Sequence, residues 1–303
     1  MTSTPVTGPT GPTGPPDGPC PVAPRAGRAA AVGGAVTAAA SLTVLLVLAP
    51  DGLARSADPG SPLVPSWHLL LPTAVALALV GVLPPRADLP APRVADRRRV
   101  LAAVAVMLGA AAVFPLVVAS TGVGARAEYH LVKVAVLVLV PGVAVLATRG
   151  SLTADRPRVA WRWWAPAVVV LVWTLLAQAA PWLQHGDYSA YPADLLLAAG
   201  VATALTAGVG EELLYRVWLQ TRLEALLGRW GGIAVATLAF AALHVGSRHG
   251  QGLLVEVAGA VVLQGLGFGL VAAFLWSRYR NAWLTVALHV LANGYVVAAE
   301  LLG

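Results

Sequence analysis

The chain has 303 residues, of which 58% are hydrophobic and only 11% are charged, and its mean hydropathy is +0.75. Soluble domains carry about 25% charged residues, so this composition excludes an ordinary water-soluble fold. The formal net charge of +6 does not indicate nucleic-acid binding, because the arginines lie between apolar stretches, where they orient a membrane protein. We therefore expect membrane lipid, and no nucleic acid, among its partners. A single cysteine, Cys20, excludes an internal disulfide and a cysteine-based metal site.

The N-terminal segment, residues 1–28, is rich in proline, glycine and threonine. Such a composition cannot bury enough apolar surface to fold, so we predict a disordered tail. The first apolar stretch follows this tail and is expected to remain as a membrane anchor.

The remainder of the chain predicts an all-α, polytopic transmembrane helix bundle in the cell membrane, because its apolar stretches approach the ~20 residues that a spanning helix needs. We count about nine spans, at roughly 29–50, 63–83, 100–120, 129–148, 161–182, 192–213, 231–248, 253–276 and 282–302.

The arginine-rich connections alternate along the chain, which by the positive-inside rule predicts a cytoplasmic N-terminus and a C-terminus outside. Composition also shifts near residue 190. The five helices in residues 29–182 are nearly free of charge and predict an accessory scaffold, whereas residues 190–301 carry most of the ionisable groups and predict the catalytic part. The exception is Lys133, the only lysine, for which the sequence shows no partner.

The densest polar cluster within the predicted spans contains Glu211, Glu212 and Arg216. On a helix Glu212 and Arg216 lie four residues apart on one face, as in an ion pair. Glu211 points about 100° away and has no local partner. A carboxylate at membrane depth without a partner is a candidate general base or acid. The alternative interpretation is a helix outside the membrane with ordinary surface charges.

Two further pairs lie four residues apart on a helical face, Phe240 with His244 and His289 with Asn293. Each has a structural alternative, since a histidine near a span end is often interfacial and an asparagine in a span often bridges helices. Farther along, the Gly-x-x-x-Gly spacing that ends at Gly269 predicts close packing against these helices.

The three groups of polar residues can be compared by their depth in the membrane. If Gly228 to Gly232 form the inner turn, Arg216 lies level with His244, and all the polar groups can meet in one cavity within the membrane. This geometry predicts that the part of the helix carrying Gln220, Arg222 and Glu224 protrudes into the cytosol. Glu256, near the start of another span, either reaches the interface or lines a substrate path.

Together, Glu-Glu-x-x-x-Arg, Phe-x-x-x-His and His-x-x-x-Asn resemble, in this order, the motifs of the CPBP family. That family comprises the CAAX proteases and bacteriocin-processing enzymes, also called the Abi or type II CAAX prenyl endopeptidase family. The resemblance covers about residues 190–301. One departure is Val217, where the family usually has glycine.

The resemblance implies an intramembrane endopeptidase whose site opens to the cytosolic side. By analogy Glu211 would be the general base, and His244 would help to hold and activate the attacking water. His289 and Asn293 would stabilise the oxyanion. Structural support would come from Glu212, Arg216 and Phe240.

A competing scheme follows from the family's description as metalloproteases. It places a divalent metal such as zinc on Glu211, His244 and His289, since two imidazoles and a carboxylate match catalytic zinc sites. The chain has no His-Glu-x-x-His helix. We favour metal-free activation of water.

The sequence thus predicts a hydrolase that cuts a membrane-associated or lipid-modified peptide or protein. One alternative is a non-proteolytic binding or immunity protein that uses the same cavity. Another is a proton-coupled transporter, with Glu211, Glu212 and His244 as a proton relay. The lack of visible internal symmetry weighs against the transporter.

Overall fold

The computed structural model describes residues 24–54, 61–246 and 252–302. Its helices are α1 (Pro24–Leu48), α2 (Trp67–Val82), α3 (Arg97–Thr121), α4 (Tyr129–Ala147), α5 (Trp161–Ala179), α6 (Ala193–Ala242), α7 (Leu253–Tyr279) and α8 (Ala282–Leu302). Two short antiparallel pairs of strands join them, β1 (Leu53–Ala54) with β2 (Leu63–Val64) and β3 (Arg93–Val94) with β4 (Leu152–Thr153).

The outer surface of the bundle is apolar. Large side chains such as Leu116, Leu131 and Val143 are exposed, as expected where lipid is the solvent. Within the described residues, seven helices are long and apolar enough to cross a membrane, and α2 is a shorter apolar helix. The predicted all-α, polytopic bundle is confirmed. The number of spans and the orientation of the bundle remain predictions.

Helix α6 covers two of the predicted spans and is interrupted at Gly228, which has φ 77° and ψ 172°. The chain doubles back there. Tyr215 in the first arm (residues 193–227) meets Phe240 in the second arm (residues 229–242), with their ring centroids 5.4 Å apart. This backbone conformation is essentially restricted to glycine, so Gly228 determines how the two arms pair.

Replacing Gly228 with alanine should therefore lower the free energy of unfolding by about 1–3 kcal/mol. Gly33 is the matched control, because it lies in helix α1 and an added Cβ there would meet no atom within 4 Å. We expect Gly33→Ala to unfold like the wild type in a thermal-stability assay in detergent. Equal stabilities of the two variants would contradict the role assigned to Gly228.

The structure moves one predicted boundary at the N-terminus. Helix α1 begins at Pro24, so residues 24–28, assigned to the disordered tail, are helical. Proline suits the first position of a helix, because its missing N–H has no partner there in any case. The rest of the predicted tail, residues 1–23, lies outside the described residues.

The segment predicted to protrude into the cytosol is covered by other parts of the protein, and its depth in the membrane remains a prediction. Gln220, Arg222 and Glu224 are all buried. The Gln220 side chain donates to Glu224 Oε1 and to the Ala273 carbonyl oxygen, each at 2.7 Å, and Arg280 pairs with Glu224 Oε2. Helix α7 packs against this part of α6, so partners within the protein take the place of water.

Arginine side chains join several elements at one end of the bundle, which we call the basic end. Asp88, in the α2–α3 connection, pairs with Arg229 and with Arg278. Arg162 donates to the carbonyl oxygens of Tyr279 and Arg280. Burial raises the pKa of the Asp88 carboxyl, but the two arginines outweigh it and hold that pKa below its usual value. The α2–α3 connection, the turn at Gly228 and the end of α7 therefore lie together.

The opposite end of the bundle is formed by the α3–α4 connection, the α5–α6 connection and the last turns of α8. The rings of His185 and Tyr295 lie 6.4 Å apart between centroids, and Tyr129, Tyr188 and Val297, one from each of these regions, line one cavity. Because α3, the first arm of α6 and α8 each run from one end to the other, residues along them can be ranked by their distance from the basic end.

Candidate active site

Glu211 forms a buried ion pair that the sequence did not reveal. Its Oε1 atom lies 2.5 Å from Lys133 Nζ, and both side chains are less than a tenth exposed. Lys133 comes from helix α4, far from Glu211 in sequence. The sequence predicted only that Glu211 has no local partner, and the partner comes instead from another helix. Pairing with an ammonium group favours the ionised carboxylate, which is the form that a general base needs.

The second oxygen of Glu211 faces a different environment. Oε2 is buried and accepts no hydrogen bond from the described residues. Buried carboxylate oxygens are normally hydrogen-bonded, so an oxygen without a donor at the wall of a cavity is a natural acceptor for a bound water or substrate group.

Glu212 links Arg216 to His289. Its Oε2 atom lies 3.2 Å from Arg216 Nε, and its Oε1 atom lies 2.9 Å from His289 Nδ1. The predicted pair of Glu212 and Arg216 is therefore present, fully buried, and it also orients an imidazole. Because an ionised carboxylate can only accept, His289 donates from Nδ1 and presents Nε2.

His244 lies in the turn directly after α6, two residues beyond the last helical residue. Its Nδ1 atom lies 2.9 Å from the Phe240 carbonyl oxygen. A carbonyl oxygen can only accept, so Nδ1 carries the proton and, in the neutral ring, Nε2 carries the lone pair. Glu256 of α7 accepts from the Gly246 N–H at 3.2 Å and steadies this turn. The two roles predicted for Glu256, reaching the interface or lining a substrate path, do not include this contact.

Phe240 is buried at the centre of the cluster. Its ring centroid lies 4.9 Å from that of His244 and 5.9 Å from that of His289, and the Arg216 guanidinium lies over its face at 4.7 Å. The same ring therefore positions both imidazoles and the cation behind them. This arrangement agrees with the supporting role expected for Phe240.

Small residues allow the helices to approach closely at this level. A Cβ atom on Gly208 would lie 2.6 Å from Val290 Cγ2. The first arm of α6 therefore contacts α8 at Val290, the residue that follows His289. A Cβ atom on Gly269 would lie 3.2 Å from Phe240 Cδ1. The predicted packing of the glycine spacing in α7 against the motif-bearing helices is confirmed.

A cavity of about 450 Å³ brings the four predicted catalytic residues together. Glu211, His244, His289 and Asn293 all line it. Lys133 lines it too, while Glu212, Arg216 and Phe240 lie behind its wall. This volume falls within the range of about 300–1,000 Å³ that is usual for ligand pockets.

The geometry does not fit the divalent metal of the competing scheme. Among the described residues, no three His, Cys, Asp or Glu side chains are gathered as a metal site requires. The Lys133 ammonium also contacts Glu211 directly and would repel a dication there. The arrangement instead places one carboxylate, two imidazoles and a carboxamide around a partly buried space.

These features define a class of protein, a multi-pass membrane protein with a cavity lined by ionisable side chains inside its helix bundle. Residues 193–295 match the family described as type II CAAX prenyl endopeptidase Rce1-like, a segment that contains all three motifs. The match confirms the resemblance found in the motifs and indicates that the protein is an integral membrane protease; the segment is similar to the CAAX proteases. The comparisons with curated proteins and with solved structures gave no match.

Proposed function

We propose that the protein hydrolyses a peptide bond of a membrane-associated substrate by activating water between Glu211 and His244. The observation that carries the proposal is the state of the Glu211 carboxylate. Lys133 pairs with Oε1, whereas Oε2 has no donor among the described residues and belongs to a cavity-lining side chain.

In the first step, the water donates one hydrogen to Glu211 Oε2 and the other to His244 Nε2. Its oxygen lone pair then faces the substrate carbonyl carbon. As the new C–O bond forms, the Glu211 carboxylate takes the proton. The pairing with Lys133 favours the charged carboxylate before this transfer.

In the second step, the carbonyl oxygen becomes an oxyanion that His289 and Asn293 stabilise. Glu212 accepts from His289 Nδ1, so only the doubly protonated ring can also donate from Nε2 to the oxyanion. The Asn293 carboxamide, one helical turn farther along α8, is a second donor. The C–N bond then breaks, and the proton held by Glu211 passes to the leaving nitrogen.

The substrate belongs to this proposal as well. We propose that it is a peptide segment of a membrane-associated or lipid-modified protein, because the cavity lies among membrane-spanning helices. The five N-terminal helices (α1 to α5) would act as a scaffold that also supplies Lys133.

The experiment compares terminal peptides in membranes of cells that carry the wild type, His244→Asn or His130→Asn. Asparagine retains a donor near the position of Nδ1 and lacks Nε2, so His244→Asn isolates the chemistry of that nitrogen. His130 is the matched control, because it lines the same cavity and bonds Thr206 through Nδ1 at 3.0 Å.

With equal accumulation of the three proteins, new termini should appear with the wild type and with His130→Asn, and should be absent with His244→Asn. An identical set of termini for wild type and His244→Asn would contradict the proposed chemistry.

A further inference from the structure

Among the described residues, the lining of the cavity extends from the catalytic residues toward one end of the bundle. Along the first arm of α6 its lining runs from Glu211 back to Leu196, and along α8 it runs from His289 forward to Val297. Both directions lead away from the basic end. Tyr188, in the α5–α6 connection, completes the lining at the far end.

The other side of the catalytic residues is filled with protein. Immediately toward the basic end, the first arm of α6 carries Tyr215, Arg216, Leu219 and Gln220, none of which has any exposed surface. No residue between Glu211 and the turn at Gly228 is among the cavity-lining residues. This cavity therefore extends toward the opposite end, while along the first arm of α6 fully buried side chains fill the space toward the basic end.

The two ends differ strongly in charge. In the described segments the basic end holds most of the arginines, including the run Arg97–Arg99 and the group that binds Asp88. The α3–α4 and α5–α6 connections around the mouth of the cavity carry Arg126 against Glu128 and Asp187. Because positive charge is retained on the cytoplasmic side, the mouth faces the opposite side of the membrane.

We propose that the substrate reaches the site from the extracytoplasmic side, as a peptide segment that is exposed on, or emerges at, the outer face of the membrane. This inference rests on the proposed function for its substrate and departs from the cytosolic opening implied by the family resemblance. A peptide held by a lipid at the cytoplasmic surface would meet the closed basic end, so the substrate class is one presented at the outer surface.

The test uses cysteine labelling in the full-length chain, which needs only one background change, Cys20→Ser. Ser189→Cys marks the exposed α5–α6 connection and Asp155→Cys marks the exposed α4–α5 connection. Ala204→Cys places a thiol on the cavity wall, and Ala225→Cys places one in the buried part of the first arm near the basic end. A small, membrane-impermeant thiol reagent is applied to intact cells and to inverted membrane vesicles.

We expect Ser189→Cys and Ala204→Cys to react in intact cells and Asp155→Cys to react only in inverted vesicles, with Ala225→Cys giving the background level. Reaction of Asp155→Cys in intact cells, with Ser189→Cys protected, would overturn the orientation. Reaction of Ala204→Cys only from the Asp155 side, or from neither side, would overturn the proposed mouth.

Labelling does not depend on catalysis, so this result is separate from that of the terminal-peptide experiment. A reactive Ala204→Cys in a protein that yields no new termini would retain the outward cavity and reject the protease chemistry. New termini from a protein whose Ala204→Cys reacts only from the cytoplasmic side would retain the protease chemistry and reject the outward cavity.

Discussion

Glu211→Gln should reduce the rate of peptide-bond cleavage by about 10²–10⁴-fold, which is the contribution typical of a positioned general base. Glutamine is nearly isosteric, and its amide oxygen can still accept from Lys133, but the buried ammonium loses its counterion. The rate is therefore measured on protein whose folding has first been checked by thermal unfolding in detergent. The amide cannot take a proton from water near neutral pH. The measurement is the single-turnover rate on a substrate identified from its new terminus, in detergent or in vesicles.

The control for this variant is Glu300→Gln, which makes the same chemical change at an exposed position near the end of α8. It should cleave at the wild-type rate. If Glu211→Gln remained within about threefold of the wild type while folding normally, general-base catalysis by Glu211 would be rejected, since even a weak general base contributes about 10²-fold.

The second large effect is expected from Lys133→Met. This change leaves the Glu211 carboxylate buried without its counterion, and removing one partner of a buried ion pair costs about 3–5 kcal/mol. We therefore expect a marked loss of stability in a thermal or denaturant assay in detergent. Cleavage should fall as well, because Oε1 of Glu211 is no longer held.

The double variant Lys133→Met with Glu211→Gln distinguishes this electrostatic account from a packing defect. Removing both charges takes away the uncompensated carboxylate, so the double variant should recover most of the lost stability while remaining inactive. Arg126→Met is a control for loss of an exposed positive charge and should change stability by less than about 0.5 kcal/mol. Equal instability of the single and double variants would contradict the pairing.

Lys133 also shows that the predicted division of the chain into a scaffold and a catalytic part is too simple. The predicted boundary near residue 190 rests on the density of ionisable groups, and it has not been tested. However, the charge opposite Glu211 comes from α4, and Tyr129 and His130 of the same helix line the cavity. A lone lysine in an apolar span was a usable signal, because such a charge requires a partner. The identity of that partner could not be read from the spacing of residues along the chain.

Local periodicity explains what the sequence did predict. Residues four apart share a helical face, so Glu212 with Arg216 and Phe240 with His244 were expected to lie side by side. Both expectations agree with the observed contacts, 3.2 Å between Glu212 Oε2 and Arg216 Nε and 4.9 Å between the ring centroids of Phe240 and His244. The same reasoning could not reveal that Glu212 also binds His289, since these residues are far apart in sequence and their meeting depends on helix packing.

Hydropathy and short spacings are local properties of a chain, so they were sufficient to predict the membrane-embedded helical class, the family motifs and the candidate catalytic residues. Only the folded bundle shows which charges compensate one another, how the two arms of α6 pair, and toward which end the cavity extends. Those features depend on the relative depth and rotation of separate helices, which are set by close contacts such as the one between Gly208 and Val290.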